Sequence, residues 1–144
     1  MIHFHTEDIA FVLKKKTLLK SWIQETIKSK KRKTGDINFI FCSDTYLLAI
    51  NKQYLNHNTY TDIITFDYSK GSQTQSISGD IYISIDRIKE NATKYSKTKE
   101  EELHRVIIHG ILHLLGYADK TKTAKEEMTK QENNCLRKLV LLQH

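Results

Sequence analysis

The chain has 144 residues, 39% of them hydrophobic, enough to bury one core, so a single domain over residues 1–144 is the expectation. Lys and Arg number 23 against 17 Asp and Glu, a formal charge of +6 that favours polyanionic partners, nucleic acid first among them. Cys42 and Cys135 lie too far apart for a zinc ribbon or a disulfide framework, and no apolar run approaches the roughly 20 residues that span a bilayer, so reduced thiols and a cytoplasmic location without membrane contact are expected.

In chain order, Ile2 to His5 alternates apolar and polar residues and reads as a strand. Leu18, Leu19, Trp22, Ile23 and Ile27 recur at helical spacing and predict a helix that ends in the basic run KSKKRK, residues 28–33. After the Gly35-Asp36 turn signal, the alternation of Ile37, Phe39 and Phe41 predicts a second strand. Ser43 and Asp44 can cap a helix that carries Tyr46, Leu47, Ile50 and Tyr54 on one side and runs to Leu55. The β-branched and aromatic stretches Asp62 to Tyr68 (DIITFDY) and Gly79 to Ile85 (GDIYISI) predict two more strands, with a loop from Lys70 to Ser78 between them. A connecting helix is expected from Asp86 to Tyr95. Thr98 and Glu101 have capping-box spacing and open a helix through Leu115, closed by Gly116, and Thr123 with Glu126 repeats the signature for a last helix ending near Leu142. The sum is an α+β fold, a small mixed four-stranded sheet packed with about five helices.

Chemistry concentrates in the helix before Gly116. In Val106 to Leu115, VIIHGILHLL, the only ionisable residues are His109 and His113. A helix apolar all round is buried, and a buried imidazole needs a hydrogen-bond partner or a metal. Positions i and i+4 share a face, so both rings can present a nitrogen to one ion. Gly116 lets the chain turn back through a left-handed conformation, which brings Asp119 within reach. The spacing HxxxHxxGxxD is that of a zincin-like metal helix with two changes: Gly110 replaces the general-base Glu, and Asp119 replaces the third His. Two nitrogens and one carboxylate oxygen leave an open position on a divalent ion, zinc being the expected one, where a bound water would be acidified into a nucleophile. Without Glu at 110, a peptidase loses its usual proton shuttle. His104 lies on a different side of the helix and is not expected to complete a closed structural site.

The residues HGILHLLGYAD, 109–119, resemble the signature HGxLHLxGYDH of the YbeY family of bacterial endoribonucleases. The stretch NKQYLNHNTYTDIITF, 51–66, is similar to the family segment NxxYRxxxxPTDVLSF, and Gly79 to Ser84 looks like its GDIxIS strand. The resemblance implies a zinc-dependent, single-strand-specific endoribonuclease that works on ribosomal RNA, at the 3′ end of the small-subunit RNA, and in ribosome quality control. It also implies that His109 and His113 are metal ligands, with Asp119 standing where the family has its third His. The family Arg, thought to contact phosphate, falls on Leu55 and the family Pro on Tyr60. A Leu cannot bind phosphate, so His57, Lys52 and Arg105 are the candidate replacements, His57 being a weak candidate catalytic residue.

Around this centre, Asp62 and Asp80 can each orient a ligating histidine or cap a turn. Tyr117 can stack on a base or pack, and Met128 is expected in the core. The run 28–33, with Lys14 to Lys16, can follow an RNA backbone or simply be solvated at a helix end. Three functions compete: RNA hydrolysis by a metal-activated water, a zinc peptidase, and a non-catalytic ribosome-associated protein with a structural metal.

Overall fold

A computed structural model describes residues 1–69 and 75–143. The elements are β1 (Ile2–Thr6), α1 (Lys16–Ser29), β2 (Lys33–Cys42), α2 (Asp44–Leu55), β3 (Ile63–Asp67), β4 (Ser76–Ser84), α3 (Ile85–Lys94), α4 (Lys99–Leu114) and α5 (Lys122–Leu142). Four strands form one mixed sheet in the order β1-β2-β4-β3. β1 with β2 and β2 with β4 pair in parallel, across connections long enough for the crossover that parallel pairing requires, while β3 and β4, neighbours in sequence, pair antiparallel.

Strand alternation divides the hydrophobic residues between two faces. Ile37, Phe39 and Phe41 of β2 and Ile77, Ile81 and Ile83 of β4 enter the main core with Leu19, Trp22 and Ile23 of α1 and Ile107, Ile108 and Ile111 of α4. On the other face Cys42, Leu47 and Ile64 form a smaller cluster under α2. α5 closes over α1 and α4: Trp22 Nε1 donates to the Cys135 carbonyl at 2.8 Å, and Met128 is buried as expected. Both cysteines are free and buried, and burial, then the charge of Asp8, pushes the Cys42 thiol up to about 12.

Three boundaries differ from the sequence reading. Gly35-Asp36 is not a turn before β2; the strand already begins at Lys33, and those two residues are taken up by an irregularity in its pairing with β4 between Thr34 and Ile37. The expected loop to Ser78 ends earlier, because β4 starts at Ser76 and continues the pairing with β2; residues 70–74 lie outside the described ones. α5 is capped by Thr121, whose Oγ1 accepts from Ala124 N–H at 3.1 Å, so Thr123 lies inside the first turn. The capping box of α4 is complete, with Thr98 and Glu101 each accepting from the other's backbone.

Candidate metal centre

α4 carries the site because one side of it lies on the sheet and the other faces a cleft. Val106, Ile107, Gly110, Ile111 and Leu114 are buried, whereas His109 and His113 are half-buried and line an open cleft of about 1140 Å³. The two rings meet edge to face, centroids 4.7 Å apart. After Leu115 the chain leaves the helix at Gly116 with φ 103°, a conformation only glycine adopts freely, and returns so that Asp119 faces both rings. Asp119 Oδ2 lies 3.3 Å from His109 Nε2 and 3.2 Å from His113 Nε2.

These distances suit a shared ion as well as a long hydrogen bond. An N–H···O bond is commonly about 2.9 Å. Two ligands on one tetrahedral ion with bonds of about 2.0–2.1 Å stand roughly 3.3 Å apart. One donor atom from each of His109, His113 and Asp119 lies within 4.8 Å of the other two, the group among the described residues that can hold an ion.

Glu132, on α5, holds the far side of this cluster. His109 Nδ1 lies 2.6 Å from Glu132 Oε2, and Arg105 donates through Nη1 to Glu132 Oε1 and through Nη2 to Asn133 Oδ1, each at 2.7 Å. A neutral His109 whose Nδ1–H donates to Glu132 Oε2 would present a lone pair at Nε2 to the cluster. Burial lowers the pKa of His109, but the bond to Glu132 and the charges of Glu132, Asp119 and Asp62 outweigh it and leave the ring raised. Asp62 and Glu102 line the same cleft, and burial, above all, raises both carboxyls.

Glu132 was missing from the sequence reading. Its signal was present: Met128, Glu132, Cys135 and Leu139 form the buried stripe of α5, and a carboxylate on such a stripe requires a partner. The expected orienting aspartates divide differently. Asp80 is on the opposite face of the sheet, where Asn38 Nδ2 at 3.2 Å and the Tyr68 hydroxyl at 2.9 Å donate to it, so it cannot orient either histidine. Asp62 reaches the cleft, but the hydrogen bond to His109 belongs to Glu132.

The candidate phosphate-binding cations also separate. Arg105 lines the cleft with its guanidinium committed to Glu132 and Asn133, Lys52 is exposed on α2 away from the lining, and His57 stands on the cleft wall. Leu55, in the place of the family Arg, does line the cleft, as does Lys120, which sequence reasoning passed over. Tyr117 packs against the core and lines the cleft, with Lys30 Nζ 5.4 Å from its ring centroid. His104 is buried beside Trp22, as its helical position required, and is not in the cluster.

Gly110 explains the missing Glu. A Cβ there would meet Ile81 Cγ2 at 2.9 Å and Ile63 Cδ1 at 3.1 Å, so this position points into the sheet. No side chain at 110 could serve the cleft without lifting α4 from β3 and β4.

Comparison with known proteins agrees with this layout. The family model described as Endoribonuclease YbeY matches residues 1–140. A protein of Parabacteroides distasonis named Endoribonuclease YbeY is 47% identical over 94% of this chain and 93% of its own length. One of the same name from Flavobacterium psychrophilum is 48% identical over 95% of each. The solution structure of TM1509 from Thermotoga maritima superposes with a TM-score of 0.66 at 29% identity, covering 96% of this chain and 89% of that one. A match along nearly the whole sequence, at this level of identity and with the fold alike, places the chain in the YbeY endoribonuclease family.

Proposed function

We propose that this protein is a metal-dependent endoribonuclease that cuts single-stranded RNA at the centre formed by His109, His113 and Asp119, with zinc as the ion, and that it acts in ribosomal RNA maturation, at the 3′ end of the small-subunit RNA, in association with the ribosome. The observation that carries this is the meeting of two imidazole Nε2 atoms and one carboxylate oxygen at 3.2 and 3.3 Å beside an open cleft large enough for a nucleotide. A bound divalent ion supplies Lewis acidity and brings the pKa of a coordinated water toward neutrality. The chain's own residues do the rest. Glu132 fixes the tautomer and angle of His109, and Arg105 fixes Glu132. Tyr60 and Tyr117 line the cleft and give unstacked bases aromatic surface, the usual way a single strand is held. His57 and Lys120 line the cleft and supply the polar and cationic groups for the scissile phosphate that Leu55 cannot.

The peptidase reading loses support, because position 110 faces Ile81 and Ile63 and cannot present a base. The test is incubation of purified protein with single-stranded RNA and with casein, with and without chelator, alongside His113→Ala. RNA cleavage that stops with chelator and in the variant, with one equivalent of zinc by elemental analysis, is expected. Cleaved casein would establish the peptidase instead, and intact RNA beside a full metal equivalent would make the ion structural. Asp119→Asn removes the charge from the third donor and is expected to lower the metal content of the purified protein; unchanged stoichiometry and affinity would take Asp119 out of the site.

A further inference from the structure

The basic run at 28–33 takes no part in the metal centre, and the fold gives it a shape that helix capping does not explain. α1 ends at Ser29, Lys31 adopts a left-handed φ of 59°, and β2 opens at Lys33, so the chain reverses within a few residues and fans its cations outward. Lys28, Lys31, Arg32 and Lys33 line one side of a groove of about 630 Å³, and none of the described residues lining it is acidic. Only Lys28 lies in the last turn of α1, where a cation favours the helix dipole. Arg32 Nε donates to the Gln75 carbonyl, a neutral partner, and no ion pair with Arg32 occurs among the described residues. Like charges this close repel one another in the folded protein, within the roughly 8–10 Å over which salt leaves them unscreened.

Lys30 links this groove to the metal cleft. Its neighbours Lys28 and Lys31 line the groove, whereas its own Nζ bonds Gln131 Oε1 at 2.9 Å and sits 5.4 Å from the ring of Tyr117, a cleft residue two positions from Asp119. Lys120 lines the cleft on the other side of Asp119. Lys30, between two groove residues in sequence, thus stands against a ring of the metal cleft.

We infer that a single-stranded RNA lying in the metal cleft leaves it over Tyr117 and Lys30 and lays its phosphates in the groove of Lys28, Lys31, Arg32 and Lys33. The occupant follows from charge and shape: a chain of phosphates matches a group of cations with no acidic residue beside them among the described residues of the groove, and an unstacked base matches the ring of Tyr117 beside Lys30. This rests on the reading of the cleft as an RNA-cleaving site. It adds that a longer substrate gains affinity from contacts outside that site.

The experiment measures binding of fluorescent oligouridylates of about 4 and about 16 nucleotides, with chelator present to stop turnover, between about 50 and 200 mM salt. The unsubstituted protein is expected to bind the longer strand more tightly and with a steeper salt dependence. Combined Lys28→Ala, Lys31→Ala and Lys33→Ala should weaken binding of the longer strand several-fold and flatten its log–log salt slope by about 2, the loss of three phosphate contacts on a single strand. Lys89→Ala, Lys94→Ala and Lys97→Ala together remove the same charge from exposed positions at or just after α3, and should leave that slope as it was. Equal slopes in all three proteins, or equal flattening by both triple variants, would overturn the track. Cleavage of the short strand by the unsubstituted, metal-loaded protein is scored separately: its absence would sink the proposed activity, whereas the length and salt comparisons alone decide the track.

Discussion

The two ends of α4 treat histidine in opposite ways. His104, in the N-terminal half, is only 6% exposed and meets Trp22 edge-on at 6.3 Å; burial, above all, holds its pKa below the ordinary value. Five residues on, His109 is also largely covered, yet Glu132, Asp119 and Asp62 surround it and its pKa is raised. Burial alone drives an imidazole toward neutrality and inertness. Carboxylates on neighbouring elements are what turn the second one into a candidate ligand: Glu132 of α5 and Asp119 of the α4–α5 connection both lie against His109.

The strongest way to break this contrast is to remove each ring. His109→Ala should abolish stoichiometric metal and RNA cleavage, while His104→Leu keeps a full metal equivalent by elemental analysis; loss of metal in both would mean that packing, not carboxylates, makes the site. Next in size, Glu132→Gln should weaken metal binding about 10–100-fold in competition with a chelating dye, because the amide no longer fixes the His109 tautomer. An unchanged affinity would reduce Glu132 to a packing partner of Arg105. Gly110→Ala should cost about 1–3 kcal/mol, read as a fall in melting temperature of roughly 3 °C per kcal/mol, since Ile81 and Ile63 must shift to admit the methyl. A neutral result there would show that α4 can ride higher on the sheet.

The smallest effect separates the histidines by pH. The folded protein binds a proton at His104 less readily than the unfolded chain, so its contribution to stability is complete above the ordinary value of 6.5 and is lost as pH falls through its depressed pKa. His104→Leu should therefore flatten the acid side of the stability curve below about pH 6.5, measured by thermal melts. The same slope in both proteins would assign the acid loss to other groups.

Local signals carried most of the fold. The capping box at Thr98 and Glu101, the Ser43 cap, the alternation of Ile37, Phe39 and Phe41 and the β-branched and aromatic content of Gly79 to Ile85 are contained in a few adjacent residues, and an element of the expected type formed at each. Errors arose where a neighbour in space decides. Gly35-Asp36 has turn chemistry, but β2 pairs with β4 at Thr34 and again from Ile37, where β1 also joins it, so the two residues become an irregularity within the strand instead of a turn before it. His109, His113 and Asp119 were legible because one helix and its turn contain all three. Glu132 was not, because its relation to His109 crosses 23 residues and depends on how α5 docks. Gly110 was read as a lost base; its packing against β3 and β4 shows that the position never faced substrate.

That docking has its own optical reporter. Trp22 is the only tryptophan in the chain, 1% exposed, and its indole N–H is tied to the Cys135 carbonyl on the same helix that carries Glu132. Emission from this one residue therefore follows the seating of α5 on α1 and α4. A red shift during titration with denaturant marks the moment at which His109 loses its buttress, with no label attached and no substrate turned over.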